Sequence, residues 1–150
     1  ERLELCSDLG ANLTMDISPA SSSERAEAIF SETLRRFGVD VVFAAAGSPS
    51  AFSEAISLSR PGGTVVEVGH YTDHGTVAVN PLDICRKDIH LFGCWGYGPQ
   101  QFGEALRLLA EDPGTFERLI THRFPLERAR DALEVARKQE AMKAVLEVEK

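Results

Sequence analysis

Small residues follow three short apolar runs in the sequence, and they are the residues best suited to bind a ligand. The runs end in Ala45-Ala46-Gly47, in Gly69-His70 and in the glycine-rich segment 93–98. Where no bulky side chain intervenes, backbone N–H and C=O groups can contact a bound ligand directly. The pattern therefore predicts a binding edge made of backbone, provided that the three runs are neighbouring strands.

The first two runs have the spacing of a βαβ unit. Residues 39–44 and 64–68 are apolar and β-branched, and Phe52, Ala55 and Ile56 recur between them close to helical spacing. The segment 60–63, RPGG, predicts the end of this helix and a turn. Strands joined by a helical crossover run parallel, and open α/β sheets bind ligands at the carboxyl ends of their strands. All three groups of small residues would lie at that end.

Metal and thiol chemistry have weaker support in this sequence. The order His70, Asp73, His74 resembles a metal-binding motif, but we interpret it as a polar loop. Cys94 has no second ligand at metal spacing, and Cys6 and Cys85 are predicted to be buried small residues. No metal ligand and no catalytic residue is therefore predicted within these 150 residues.

The remaining chain alternates helical and extended patterns. A helix is predicted over residues 1–9 with Gly10 as its end, and a short strand over 11–17. A second helix is predicted to start after Ser23, as N-cap, and to end at Gly38. After the βαβ unit we expect helix 82–86, strand 88–95, helix 102–109, extended segment 116–126, helix 127–138 with Ala129, Ala132, Leu133 and Ala136 inward, and strand 144–148.

Composition narrows the class of protein. Hydrophobic residues make up 43% of the chain and charged residues 26%, which is typical of a globular fold. The net charge of −7 argues against nucleic acid or an anionic membrane as the main partner. No apolar run approaches the ~20 residues of a membrane helix, and no secretory signal is visible. The odd number of cysteines favours a reducing, cytoplasmic location.

The ordered motifs carry a family resemblance. GVDVVFAAAG, RPGGTVVEVG, KDIHLFGCWGY, LITHRFPLERARDALE and MKAVLEV together resemble the carboxyl-terminal half of medium-chain zinc-type alcohol dehydrogenases, above all polyol and threonine dehydrogenases. The resemblance implies an α/β fold. Residues 1–110 would be the second part of a Rossmann-like, doubly wound nucleotide-binding domain, and 111–150 the carboxyl-terminal return segment of the catalytic domain. The family's glycine fingerprint and zinc ligands lie upstream of the matched part, so we expect this chain to be a fragment.

The resemblance also implies a set of cofactor contacts. In family terms, Arg2 lies beside the adenosine ribose and Lys143 near the pyrophosphate. Residues near the nicotinamide and its ribose are Ala45, Ala46, Gly47, Val68, Gly69, His70, Gly93, Cys94, Trp95 and Gly96. A larger side chain at Gly69 is then expected to weaken cofactor binding while the fold survives. Polyol dehydrogenases usually carry arginine at the position of Gly96, so this residue argues against a polyol substrate.

By this resemblance the parent protein is an oxidoreductase. It would use NAD or NADP to move hydride between the nicotinamide and a small alcohol or carbonyl substrate, with zinc assistance and as a homo-oligomer. The strand at Ile89–Trp95 would pair across a dimer, and the strand at Val41 would be buried on both faces in the parent. Three alternatives remain open: a zinc-free quinone or enoyl reductase of the same superfamily, a non-catalytic nucleotide-binding or interaction fragment, and a methyltransferase-type α/β domain.

Overall fold

A computed structural model describes residues 2–148, which form two compact units. One unit comprises residues 13–96, and the other comprises 2–12 together with 97–148. The helices are α1 (Arg2–Asp8), α2 (Ser22–Ser31), α3 (Pro49–Leu58), α4 (Pro81–Lys87), α5 (Pro99–Glu111), α6 (Pro113–Glu117) and α7 (Ala129–Arg137). The strands are β1 (Val39–Ala44), β2 (Ser59–Glu67), β3 (His90–Gly93), β4 (Ile120–Pro125) and β5 (Lys143–Glu147). Short 3₁₀ turns occur at Leu34–Arg36 and Leu126–Arg128.

The unit of residues 13–96 contains a parallel sheet in the order β1-β2-β3. The parallel pairing of β1 with β2 is the one that the βαβ pattern predicts. Helix α3 connects the first two strands and packs against both. Its inward residues Ala55 and Ile56 meet Ala44, Val65 and Ile89 in one buried cluster. This burial of apolar surface is the main stabilising contribution in the unit.

The opposite face of the sheet is open. Phe43, Val66 and Phe92 lie side by side in register across the three strands. Phe43 is 68% exposed and Phe92 is 57% exposed. Burial of the first strand on both faces is expected only in the parent protein; in this chain the face toward α3 alone is covered.

Lys87 caps the carboxyl end of helix α3. The last carbonyls of a helix have no partner within the helix. Lys87 Nζ donates to three carbonyl oxygens in this region, those of Ile56 at 3.2 Å, Ser57 at 2.8 Å and Ser59 at 3.0 Å. Burial lowers the pKa of Lys87. The lysine thereby joins α4 to the α3–β2 corner. Strand β2 starts at this corner, so the RPGG segment lies inside the strand and not in a separate turn.

Two predictions for residues before β1 are wrong. Residues 11–17 form no strand; Asp16 instead accepts a hydrogen bond from the Ser18 N–H at 2.9 Å, which turns the chain. The second helix is capped by Ser21 and ends at Ser31. Ser31 and Thr33 donate their hydroxyls to carbonyls three residues earlier, at 2.6 and 2.9 Å, and such bonds compete with helix continuation.

The other unit is built on the parallel pair β4 and β5, with α7 against it. Ala132 of α7 is buried as predicted, but Leu133 is 72% exposed and Ala136 is also exposed. The inward face of α7 is therefore set by Ala132 and the half-buried Val135. Helix α1 ends as predicted: Gly10 has φ +101°, and the N–H of Ala11 bonds to the Cys6 carbonyl at 3.0 Å.

All three cysteines are exposed, so the prediction that Cys6 and Cys85 are buried is wrong. Within residues 2–148, every helix falls short of the length and apolarity needed to cross a membrane.

Candidate functional site at the carboxyl edge of the parallel sheet

The ends of β1 and β2 meet backbone to backbone. The N–H groups of Val68 and Gly69 both donate to the Ala44 carbonyl, at 3.1 and 3.0 Å. A Cβ built on Gly69 would lie 3.0 Å from the Ala45 carbonyl carbon and closer still to the Gly47 nitrogen. Gly47 has φ +65°, and a Cβ there would lie 2.9 Å from the Gly69 oxygen. Glycine is required at both positions by this close approach.

This contact brings together the site residues predicted after the first two strands. Ala45, Ala46 and Gly47 face Val68 and Gly69 across it, and His70 follows directly. Ala45 and Ala46 are exposed, and Gly47, Gly69 and His70 are half-buried. The edge is therefore open to a ligand at the residues that the sequence singled out.

Glu67 organises this edge, and the sequence reasoning missed it. Its Oε1 accepts a hydrogen bond from the Gly69 N–H at 2.8 Å and lies 2.9 Å from His70 Nδ1. Its backbone carbonyl accepts from the Cys94 N–H at 2.9 Å, which ties the exit of β3 to the end of β2. The signal for it was available, because a carboxylate in the apolar run VVEV must find polar partners.

A cavity of about 290 Å³ adjoins Glu67. Its wall is part apolar and part polar, and is formed by Pro49, Phe52, Glu67, His70, Thr72, Asp73, Gly75 and Val77. Glu67 Oε2 is buried and has no hydrogen-bond partner among the described residues. The rings of His70 and His74 lie edge to face with centroids 6.3 Å apart.

The exit of β3 is the most open part of the edge. Gly93, Cys94, Trp95 and Gly96 are all exposed, and Trp95 is 78% exposed. A Cβ built on Gly93 meets nothing within 4 Å. The backbone here is exposed, although the Cys94 N–H donates to the Glu67 carbonyl, and a side chain added at Gly93 would extend into open space.

Arg2 and Lys143 belong to the other compact unit. Arg2 Nη2 donates to the carbonyls of Gln139 at 3.1 Å and Ala141 at 2.7 Å, and so holds α1 to the segment before β5. Lys143 is exposed at the first position of β5. Their expected contacts with an adenosine ribose and a pyrophosphate stay predictions.

Across residues 2–148, no three or more His, Cys, Asp and Glu side chains are grouped so that they could hold a metal ion. The residues present therefore do not fit the zinc that the resemblance implies for the parent protein, and no chemical step is assigned to a metal in this chain.

Comparison with known proteins gives consistent matches along almost the whole chain. A family profile described as zinc-binding dehydrogenase matches residues 1–111. A 5-exo-hydroxycamphor dehydrogenase of Pseudomonas putida is 30% identical over 148 residues, covering 97% of this chain and 41% of the relative. A sorbitol dehydrogenase of Gallus gallus is 29% identical over 145 residues, covering 97% and 39%. The chain spans about two fifths of the length of these relatives.

Solved structures match in the same proportion. An alcohol dehydrogenase of Thermotoga maritima superposes with a TM-score of 0.91 at 30% identity, covering 99% of this chain and 40% of that one. A protein described as a short chain alcohol dehydrogenase of E. coli CFT073, solved with NADH, gives a TM-score of 0.78 at 21% identity, covering 98% and 41%. The second likeness shows the fold alone.

Proposed function

Since the chain belongs to the zinc-binding dehydrogenase family, we propose that it supplies the nicotinamide-binding edge of an NAD(P)-dependent oxidoreductase. The parent enzyme would transfer hydride between the cofactor and an alcohol or carbonyl substrate. The observation that carries this proposal is the backbone edge at Ala45–Gly47 and Val68–His70, where two glycines pack in close contact and the small residues Ala45 and Ala46 are exposed.

In this proposal the chain's residues bind and orient the cofactor. The backbone at Val68 to His70 and at Gly93 to Gly96 would read the carboxamide, because an amide pairs with one backbone donor and one backbone acceptor. Ala45 to Gly47 would lie under the adjoining ribose. The nicotinamide, when bound, supplies the hydride chemistry. Glu67 would hold Gly69 and His70 in place through the bonds described above.

The substrate is proposed to be a small alcohol or ketone outside the polyols. The similar proteins include dehydrogenases of a hydroxycamphor and of sorbitol. Gly96 has no side chain and φ +67°, so it offers no cation to a polyhydroxyl substrate.

The same proposal includes zinc assistance in the parent, homo-oligomerisation, a cytoplasmic location and a domain boundary near residue 110. A zinc-free reductase of the superfamily and a non-catalytic binding fragment remain its alternatives.

Binding of NADH to the 150-residue chain tests the proposal. Gly93→Val should raise the Kd about tenfold, because the new side chain fills ligand space at an open position. Gly103→Val is the matched control, since a Cβ at Gly103 of α5 also meets nothing within 4 Å, and its Kd should not change. Calorimetry or NADH fluorescence measures both. Equal affinities for the two variants would remove the β3 exit from the cofactor site.

The chain alone is expected to lack catalytic activity. The chain spans about two fifths of its relatives, so we expect no hydride transfer when it is assayed with NAD and a panel of alcohols. Clear NADH formation on addition of zinc would contradict the expectation that the chain is a fragment.

A further inference from the structure

Only one of the two carboxylate oxygens of Glu67 has a hydrogen-bond partner among the described residues. Its Oε1 accepts from the Gly69 N–H and contacts His70, while Oε2 is buried without a partner among the described residues. Burying a carboxylate oxygen without a hydrogen bond is unfavourable, and the cost is removed when a donor arrives. The oxygen therefore marks a place for a ligand group that carries an N–H or O–H donor.

The walls of the adjoining cavity specify the shape of that group. Phe52 and Pro49 come from the first turns of α3, and Val77 comes from the loop after β2. A flat ring can lie against such apolar and aromatic surfaces, and the face of an aromatic ring attracts positive charge. A volume of about 290 Å³ is large enough for one small ring.

The charged residues that line the cavity favour a ligand of positive charge. Glu67 and Asp73 both line the cavity, and none of its lining residues is lysine or arginine. His70 already contacts Glu67, and Asp73 Oδ1 accepts from the Gly75 N–H at 2.8 Å. The acidic groups of the lining thus outnumber the bases, and a cationic ligand is favoured.

We propose that this cavity binds a planar, positively charged ring bearing an N–H donor, with Glu67 Oε2 as the acceptor. Under the proposed function, on which this identification rests, the ring is the oxidised nicotinamide. Oxidised nicotinamide is a pyridinium that carries a carboxamide. The reduced ring is neutral. Glu67 then makes the binding edge prefer the oxidised cofactor over the reduced one.

Two small probes test the cavity directly. 1-Methylnicotinamide carries the positive ring and nicotinamide is its neutral counterpart; each is titrated into ¹⁵N-labelled chain and followed by NMR. We expect the cation to bind about tenfold more tightly, because a partly buried carboxylate discriminates by charge. The amide signals of Gly69 and His70 should move in both titrations.

Substitutions assign the preference to one side chain. Glu67→Gln keeps the shape and an acceptor for the Gly69 N–H, and should reduce the preference to about twofold or less. Asp83→Asn removes an acidic side chain of α4 that does not line this cavity, and should leave the preference unchanged. A dispersed spectrum confirms that each variant is folded. Equal binding of the two probes to wild type, an unchanged preference in Glu67→Gln, or signal changes away from residues 67–75 would each overturn the proposal.

The NADH experiment separates this inference from the proposed function. NADH binding at the β3 exit with no charge preference among the small probes would reject the role of Glu67 and leave the cofactor edge intact. A charge preference that depends on Glu67, without binding of either NAD⁺ or NADH, would support the cavity and reject the dehydrogenase cofactor as its occupant.

Discussion

Single residues at the sheet edge have different structural constraints, although the sequence presents them as one glycine-rich pattern. A side chain at Gly69 would first meet the backbone of residues 45–47, before any ligand. A side chain at Gly93 would meet nothing within 4 Å. The structure therefore separates a glycine that the fold requires from a glycine whose position leaves room for a side chain.

Gly69→Ala should destabilise the protein itself. The added methyl group forces the ends of β1 and β2 apart, and such overpacking costs about 1–3 kcal/mol of the free energy of unfolding. Urea unfolding followed by circular dichroism measures this value. Gly93→Ala serves as the control and should stay within about 0.5 kcal/mol of wild type. If both substitutions are neutral, the close contact between Gly47 and Gly69 does not exist in solution.

Among the secondary-structure elements, α2 shows how a helix start is chosen between neighbouring serines. The Ser21 side chain accepts from the Glu24 N–H at 3.3 Å, and the Ser21 N–H donates to the Glu24 carboxylate at 2.7 Å. This reciprocal pair is a capping box. Ser23 lies inside the first turn, where its hydroxyl contacts Ser21 Oγ at 3.0 Å.

Ser21→Ala should cost about 1 kcal/mol of stability, because the Glu24 N–H at the start of α2 loses its side-chain acceptor. Ser23→Ala should cost less than half of that, since Ser23 caps no backbone group. Urea unfolding of both variants against wild type at pH 7 makes the comparison. A larger loss for Ser23→Ala would move the N-cap to the position expected from sequence.

The same cap should depend on pH. The hydrogen bond from the Ser21 side chain, followed by that from its backbone N–H, lowers the pKa of Glu24 from its ordinary value of 4.5. A carboxyl group whose pKa is lower in the folded state stabilises the fold above its unfolded pKa and loses that contribution as the pH falls through the folded value. The stability difference between wild type and Glu24→Gln should therefore be constant above about pH 5 and shrink below pH 4.5. Unfolding curves from pH 3 to 7 measure it, and a difference that grows on acidification would contradict the sign.

At the scale of the whole molecule, the open face of the sheet exposes large apolar side chains. The row Phe43, Val66 and Phe92 lies on the open face of the sheet, and β1 and β3 each pair with only one strand among the described residues. Unpaired strand edges and exposed apolar faces favour association with another chain. Both the edge at β3, where a dimer contact is expected from the family resemblance, and the row beside it are available.

We expect the chain to self-associate at micromolar concentration, as measured by light scattering. Phe43→Glu and Phe92→Glu should shift the population toward monomer, because a charge on the row opposes burial. Leu34→Glu is the control, since Leu34 is 86% exposed and lies outside the sheet; it should not change the mass. A monomeric wild-type chain would argue against association through this sheet.

The sequence by itself determined the features that depend on local periodicity. The alternation of β-branched runs with a helical pattern predicts β1, α3 and β2, and the helical crossover predicts that the two strands are parallel. The small residues after each run predict where backbone is accessible. These inferences succeed because spacing along the chain dictates which side chains share a face.

Tertiary structure decided everything that depends on a partner distant in sequence. Residues 11–17 have a strand-like composition but form no strand, since no strand of the described residues pairs with them. Leu133 is exposed although its helix is amphipathic, because the position of α7 against β4 and β5 buries Ala132 instead. Glu67 reaches the centre of the candidate site only where the exits of β2 and β3 meet. Pattern along the chain does not encode these pairings; the packing of whole elements does.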